Sequence, residues 1–180
     1  MALMAPHPVA PRIRVATGDD VDAVRRVCET GYRFVTEPLL PRDLVDEKVA
    51  EFYGRERVAG DVDPERFSPH WRGYLVAELD GRVVGAAGGG MVAEDVGQLY
   101  VVYLALDRRG AGIGTALLDA VTRQQVDLGA TRQRVAVLAD NPHGVPFYLA
   151  RGFREIERRG YPEGARQQVA ELLLERTVRG

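Results

Sequence analysis

Residues 109 to 115 read Arg109-Gly110-Ala111-Gly112-Ile113-Gly114-Thr115, and they stand between an apolar and aromatic run, Gln98 to Leu106, and a stretch with helical spacing. Three glycines at alternate positions let the backbone turn tightly and gather several amide N–H groups at a helix N-terminus. An anion held there gains those hydrogen bonds and the positive end of the helix dipole. Glycines that merely start a helix give a similar pattern, so position and neighbours carry the argument. A dinucleotide fold wants G-x-G-x-x-G after the first strand of a parallel unit. Here the spacing is G-x-G-x-G and falls late in the chain. The Lys-Ser/Thr pair of a nucleoside triphosphatase loop is missing.

Outward from the loop, Gln98 to Leu106 predicts a central strand covered on both faces. Ile113, Leu117, Leu118, Val121 and Val126 predict a helix over 111–129 that stops at Gly129. Arg134 to Ala139 reads as a strand, Pro142 to Arg151 as a short helix ended by Gly152, and 153–158 with 168–175 as a closing hairpin. Upstream, Tyr74 to Leu79 and Arg82 to Ala87 form a hairpin about Asp80-Gly81, with Gly88 to Gly90 loosening its end. Ile13 and Val15 mark a first strand, and Asp19 or Asp20 caps a helix with Val21, Val24, Val27 and Cys28 on its apolar face. From Gly31 to Asp63, Pro38 and Pro41 interrupt the chain before a second helical pattern through Leu44, Val45, Val49 and Phe52, which reads as a lid or wall. The order is β, α, α, β, β, β, α, β, α, β, β, in a single domain over 12–180 behind a flexible N-terminus at 1–11.

With these residues in place, the chain resembles the GNAT superfamily of N-acetyltransferases from about Ile13 to Val178. Arg109 to Gly114 matches that family's Q/R-x-x-G-x-G/A pyrophosphate loop. A second motif, Asn141 followed by Phe147-Tyr148 and Gly152-Phe153, is similar to the family's Asn, Phe-Tyr, Gly-Phe run at the usual distance. The resemblance implies an α/β (α+β) GNAT fold with a mixed, mainly antiparallel sheet of about six or seven strands and about four helices. It implies strands four and five splayed apart, with a bulge within Tyr103 to Leu106. It also implies acetyl-CoA as co-substrate and no metal, held by Leu104, Ala105, Leu106, Arg109, Gly110, Ala111, Gly112, Ile113, Gly114, Thr115, Asn141 and Tyr148.

Acetyl transfer to an amine, by direct attack in a ternary complex, needs a neutral nucleophile, a stabilised oxyanion and a proton for the departing thiolate. By resemblance, Tyr148 is the general acid, with Phe147 as core, and the backbone N–H of Leu104 is the oxyanion donor. Asn141 meets the pantetheine arm or serves as a helix-start residue, and His143 is a surface histidine at the helix entrance. The chain departs from its relatives at Gln98, where many carry glutamate. Glutamine cannot take a proton, and its expected part is to hold a relaying water. Glu94, Asp95, Glu29 and Glu37 are the alternative carboxylates, each read first as a surface charge. A second reading keeps the fold and drops catalysis, leaving an acyl-CoA-binding sensor or partner-binding module.

The acceptor side falls on Tyr32 to Pro41 and Arg158 to Arg166, with Tyr100 and Tyr103 as further pocket walls. Glu37 there suits an ammonium group and the arginines suit a carboxylate or phosphate, and the sequence does not choose between them. The 180 residues carry a net charge of -2 with both signs spread along the chain, which gives no support to nucleic-acid binding. Lys48 is the only lysine. The lone Cys28 cannot form an internal disulfide and reads as a small buried apolar side chain. No apolar run approaches the roughly 20 residues of a membrane span, so the expectation is a cytoplasmic protein with no membrane partner. Edge strands of this fold make a homodimer plausible.

Overall fold

The computed structural model describes residues 10–160 and 169–179. The expectations for most of 1–11 and for the second half of Arg158 to Arg166 lie outside those residues. In chain order come β1 (Arg12–Val15), α1 (Val21–Thr36), α2 (Arg42–Tyr53), α3 (Arg55–Asp61), β2 (Leu75–Leu79), β3 (Arg82–Ala93), β4 (Val96–Leu104), α4 (Ile113–Asp127), β5 (Arg132–Leu138), α5 (Gly144–Leu149), β6 (Arg154–Gly160) and β7 (Ala170–Thr177). Seven strands form one sheet in the order β1-β2-β3-β4-β5-β7-β6, antiparallel throughout except where β4 and β5 run parallel.

Alternation along the strands gives each face of the sheet its own core. Val76, Ala86 and Val101 pack with Val24, Val27, Cys28, Val45 and Val58 of the three N-terminal helices. Leu75, Ala77, Leu99 and Val135 pack on the other face with Leu117, Leu118 and Val121 of α4. The apolar face expected of α1 is buried as read, and Asp80 and Gly81 both take positive φ in the β2–β3 turn.

Four expectations are corrected. The strand expected over Gln98 to Leu106 runs from Val96 to Leu104, and a 3-10 turn takes over at Leu106. A third helix, α3, follows Gly54, whose extended ψ of 149° ends α2. It buries only Val58 fully, too little for the apolar spacing to announce it. Asp20 stands at the N-cap of α1, but its side chain makes no capping hydrogen bond to that helix. Its carboxylate accepts from Thr17 N–H at 2.8 Å and from both terminal nitrogens of Arg14 at 2.7 and 2.9 Å. The Arg14 hydrogen bond holds its pKa below the usual carboxylate value, against the opposing effect of burial.

The fourth correction concerns Gly88 to Gly90, which do not loosen the hairpin. β3 continues through them to Ala93, while β2 pairs only as far as Ala87. Beyond that point the turn Ser68–Trp71 lies on β3, with Met91 N–H donating to Pro69 O at 2.7 Å and Arg72 N–H to Gly89 O at 3.2 Å. A Cβ at Gly90 would overlap the His70 carbonyl, and one at Gly88 the Trp71 ring. The glycines are there for close approach. Gly90→Ala forces one backbone off another and is expected to cost about 3 kcal/mol, a fall in Tm of roughly 6–12 °C by thermal unfolding.

Candidate active site

Gly110 and Gly112 both have φ of +77°, and a Cβ on either would meet nothing within 4 Å. Positive φ favours glycine, and the empty space beside both leaves the backbone accessible. Gly112 stands at the N-cap of α4, a helix of 15 residues with no acidic residue in its first turn. Its first-turn amides lack intrahelical partners. Two guanidinium groups flank the loop. Arg109 lies 4.1 Å over the Phe34 ring of α1, and its pKa is lowered by burial. Arg151 lies 3.7 Å over the Phe147 ring and donates to Phe147 O at 2.7 Å and to Thr115 Oγ1 through Nε at 3.2 Å. Neither arginine forms an ion pair with a described residue. Thr115 is thereby committed to Arg151.

Next to the loop, β4 and β5 pair only from Val96↔Arg132 to Leu99↔Val135 and then part. The β3–β4 register slips between Gly88↔Val101 and Gly89↔Leu99, leaving Tyr100 as the extra residue. The bulge expected within Tyr103 to Leu106 therefore lies at Tyr100, the first residue past the last β4–β5 pair. A bulge bends and twists its own strand, and here that bend coincides with the separation. Gln125 Nε2 donates to Gln98 O at 2.9 Å and to Gly90 O at 3.2 Å, while its Oε1 accepts from Gln133 Nε2 at 2.8 Å. These bonds pin β4 just before the bulge.

Ala105 N–H donates to Val84 O on β3 at 2.8 Å. Alternation then turns the N–H groups of Leu104 and Val102 away from β3, to the edge that β5 has left. Ala105 is bonded on both sides, since its carbonyl accepts from Arg108 N–H at 2.9 Å. Of the three residues expected to meet the cofactor there, it has no free backbone group.

The opening between the strands is part of a cleft of about 1300 Å³ that takes in Gly110, Gly112, Thr115, Gln98, Leu104, Asn141 and Tyr148. Tyr148 is buried on α5, edge-on to Phe147 at 5.1 Å and to Phe153 at 5.4 Å between ring centroids. Its hydroxyl makes no hydrogen bond with a described residue, and burial pushes its pKa well above the usual tyrosine value. Phe147, read as core, is half-buried on the cleft wall between Arg151 and Gly114. Asn141 Oδ1 accepts from His143 N–H at 3.0 Å and Gly144 N–H at 2.9 Å, so it starts α5 while still lining the cleft. The His143 ring rests on Phe34 with centroids 5.3 Å apart.

Gln98 lines the cleft half-buried, whereas the alternative carboxylates do not reach it. Glu29 and Glu37 pair with Arg33, and Asp95 pairs with Arg132. Among the described residues, Glu171 of β7 and, at the end of α3, Asp61 are the carboxylates that line the cleft. Arg57 Nε donates to Asp61 at 2.9 Å, and burial raises the Asp61 pKa. Sequence reasoning missed Asp61 together with Trp71, whose indole N–H donates to Asp61 O at 2.8 Å and whose ring lies 6.4 Å from Tyr100. It also missed Arg151, although Phe147 and Arg151 stand at the i, i+4 spacing that brings side chains together on a helix.

A glycine loop with open amides at a helix N-terminus, set beside two parted parallel strands, is a geometry suited to an anion. A family model described as the Acetyltransferase (GNAT) family matches residues 42–153, more than half of the chain, and the chain belongs to that family. Curated relatives include the amino-acid acetyltransferase of Mycobacterium tuberculosis, 29% identical over 84% of this chain and 73% of its own. A mycothiol acetyltransferase of Corynebacterium aurimucosum is 44% identical over 36% of this chain, and the match spans only 22% of that protein. Among solved structures, the PaiA N-acetyltransferase of Thermoplasma acidophilum in complex with coenzyme A superposes with a TM-score of 0.79. It is 18% identical, with 94% of this chain and all of the other covered, and shares the fold. No helix among the described residues is long and apolar enough to cross a membrane.

Proposed function

We propose that this chain is an N-acetyltransferase that moves the acetyl group of acetyl-CoA to a primary amine of a small molecule or peptide. The observation that carries the reading is the juxtaposition of the open glycine cradle with the parting of β4 and β5. The residues fit the co-substrate. Space at Gly110 and Gly112 admits a pyrophosphate against the backbone amides, with Arg109 and Arg151 on either side. Bound acetyl-CoA supplies the activated acetyl thioester.

The Leu104 N–H, with Val102 as its neighbour on the same edge, offers a hydrogen bond to charge developing on the acetyl oxygen. Asn141 holds the pantetheine arm while it starts α5. Tyr148 keeps its proton across the physiological range and delivers it to the departing sulfur. Gln98 positions a water that takes the amine proton outward. The direct test is release of free thiol from acetyl-CoA over a panel of primary amines. Amine-dependent release supports transfer, whereas binding of acetyl-CoA with no release from any amine favours a non-catalytic acyl-CoA-binding module.

A further inference from the structure

Beneath α4, at the closed end of the strand parting, a polar row crosses the sheet. Gly97 of β4 pairs with Gln133 of β5, which pairs with Arg176 of β7, two pairs before the last β4–β5 pair, Leu99↔Val135. Gln133 is fully buried, and so is Gln125 of α4 above it. Gln133 Nε2 donates to Gln125 Oε1 at 2.8 Å and to Thr122 Oγ1 at 3.0 Å, and Arg176 Nε donates to Gln133 Oε1 at 3.0 Å. A Cβ at Gly97 would overlap the Gln125 amide, so glycine there makes room for it.

The two ends of this network reach the two walls of the cleft. Gln125 Nε2 holds Gln98 O and Gly90 O, on the two strands whose register slips at Tyr100, and β4 runs on from there to the Leu104 N–H. At the other end Arg176 Nη1 donates to Arg151 O at 2.9 Å, in the turn whose Arg151 and Phe153 N–H groups donate to Tyr148 O at 2.9 and 3.2 Å. The same guanidinium lies 4.7 Å over the Phe153 ring, which meets Tyr148 edge-on. Apolar side chains would hold α4 on the sheet as well, since replacing both members of a buried hydrogen-bonded pair by apolar groups of like shape is nearly neutral in stability. What a satisfied buried network adds is a single arrangement, because a shift leaves a polar atom unpaired.

We propose that Gln125, Gln133 and Arg176 are positioning residues, a strut at the hinge of the cleft that fixes the Leu104 N–H and the Tyr148 hydroxyl relative to one thioester. The thioester rests on the N-acetyltransferase reading, and the strut itself does not. The experiment compares the wild type with Arg176→Met, Gln125→Leu and the double variant, assayed well below each Tm. Each single variant is expected to lower kcat for amine-dependent thiol release about tenfold to a hundredfold, the cost of a misplacement on the order of 1 Å. KM for acetyl-CoA should stay within about threefold. The double variant should be no slower than the worse single one, since the residues act as a unit.

Arg176→Lys keeps the charge but not the fork that reaches Gln133, Arg151 and Thr122 at once. It is expected to fall between the wild type and Arg176→Met, and it carries the test if Arg176→Met does not fold. In 1H–15N spectra of the coenzyme A-loaded protein, Arg176→Met should move the amide signals of Gln98 to Leu104, and Gln125→Leu those of Tyr148 to Phe153. An unchanged kcat in both single variants, losses that multiply in the double variant, or shifts confined to the substituted side would each overturn the proposal. If the wild type releases no thiol with any amine, acetyl transfer is contradicted and the shifts alone decide the strut.

Discussion

Tyr148→Phe is expected to lower kcat for amine-dependent thiol release by about a hundredfold to ten-thousandfold, the range of a lost general acid, with acetyl-CoA affinity changed less than about threefold. The hydroxyl is the only part of Tyr148 removed. Its ring is held edge-on by Phe147 and Phe153, and that packing survives in phenylalanine. Its hydroxyl bonds to no described residue, so no buried partner is orphaned and the fold is expected to be unmoved within about 1 kcal/mol. The pH dependence follows from the direction of its pKa. Burial raises it above the ordinary value near 10, so the proton-bearing form is fully present below that pH. Between pH 6 and 9, kcat of the wild type should show no loss assignable to Tyr148, and stopped-time thiol assays across that range check it. An unchanged kcat in Tyr148→Phe would remove the residue from the chemistry and return it to packing.

The parts of this protein that were legible in the sequence are those specified by neighbours in the chain. The loop Arg109 to Thr115 announced itself because glycine spacing and helix entry are local, and α4 and the Asp80-Gly81 hairpin follow from periodicity and turn chemistry. The parts that were not legible depend on distant contacts. Gly88 to Gly90 look like a frayed end until the Pro69–Trp71 turn is seen lying on them. The bulge at Tyr100 coincides with the end of β4–β5 pairing at Val135, which no pattern inside β4 encodes. Asp20 resembled a helix cap until Arg14, on a strand beside it, claimed the carboxylate. The wall of the cleft under the helices is the extreme case. Lys48, Asp61 and Trp71 come from α2, α3 and a turn, and only folding sets them around one cavity.

If the glycine loop seats the coenzyme pyrophosphate, Gly112→Asp removes that seat alone. A Cβ added there meets nothing within 4 Å, and aspartate tolerates left-handed backbone better than most residues, so the variant should fold. Its carboxylate would stand where the phosphate is to bind, displacing amide hydrogen bonds and repelling the anion. Losing charged hydrogen bonds of roughly 1.5–3 kcal/mol each corresponds to a fall in affinity of about a hundredfold or more. The measurement is calorimetric titration of wild type and Gly112→Asp with acetyl-CoA, with thermal unfolding as the control for folding. Micromolar binding by the wild type, lost in a folded variant, is the predicted result. Equal binding by both proteins would take the co-substrate off the loop, and no binding by the wild type would contradict the acetyltransferase reading outright.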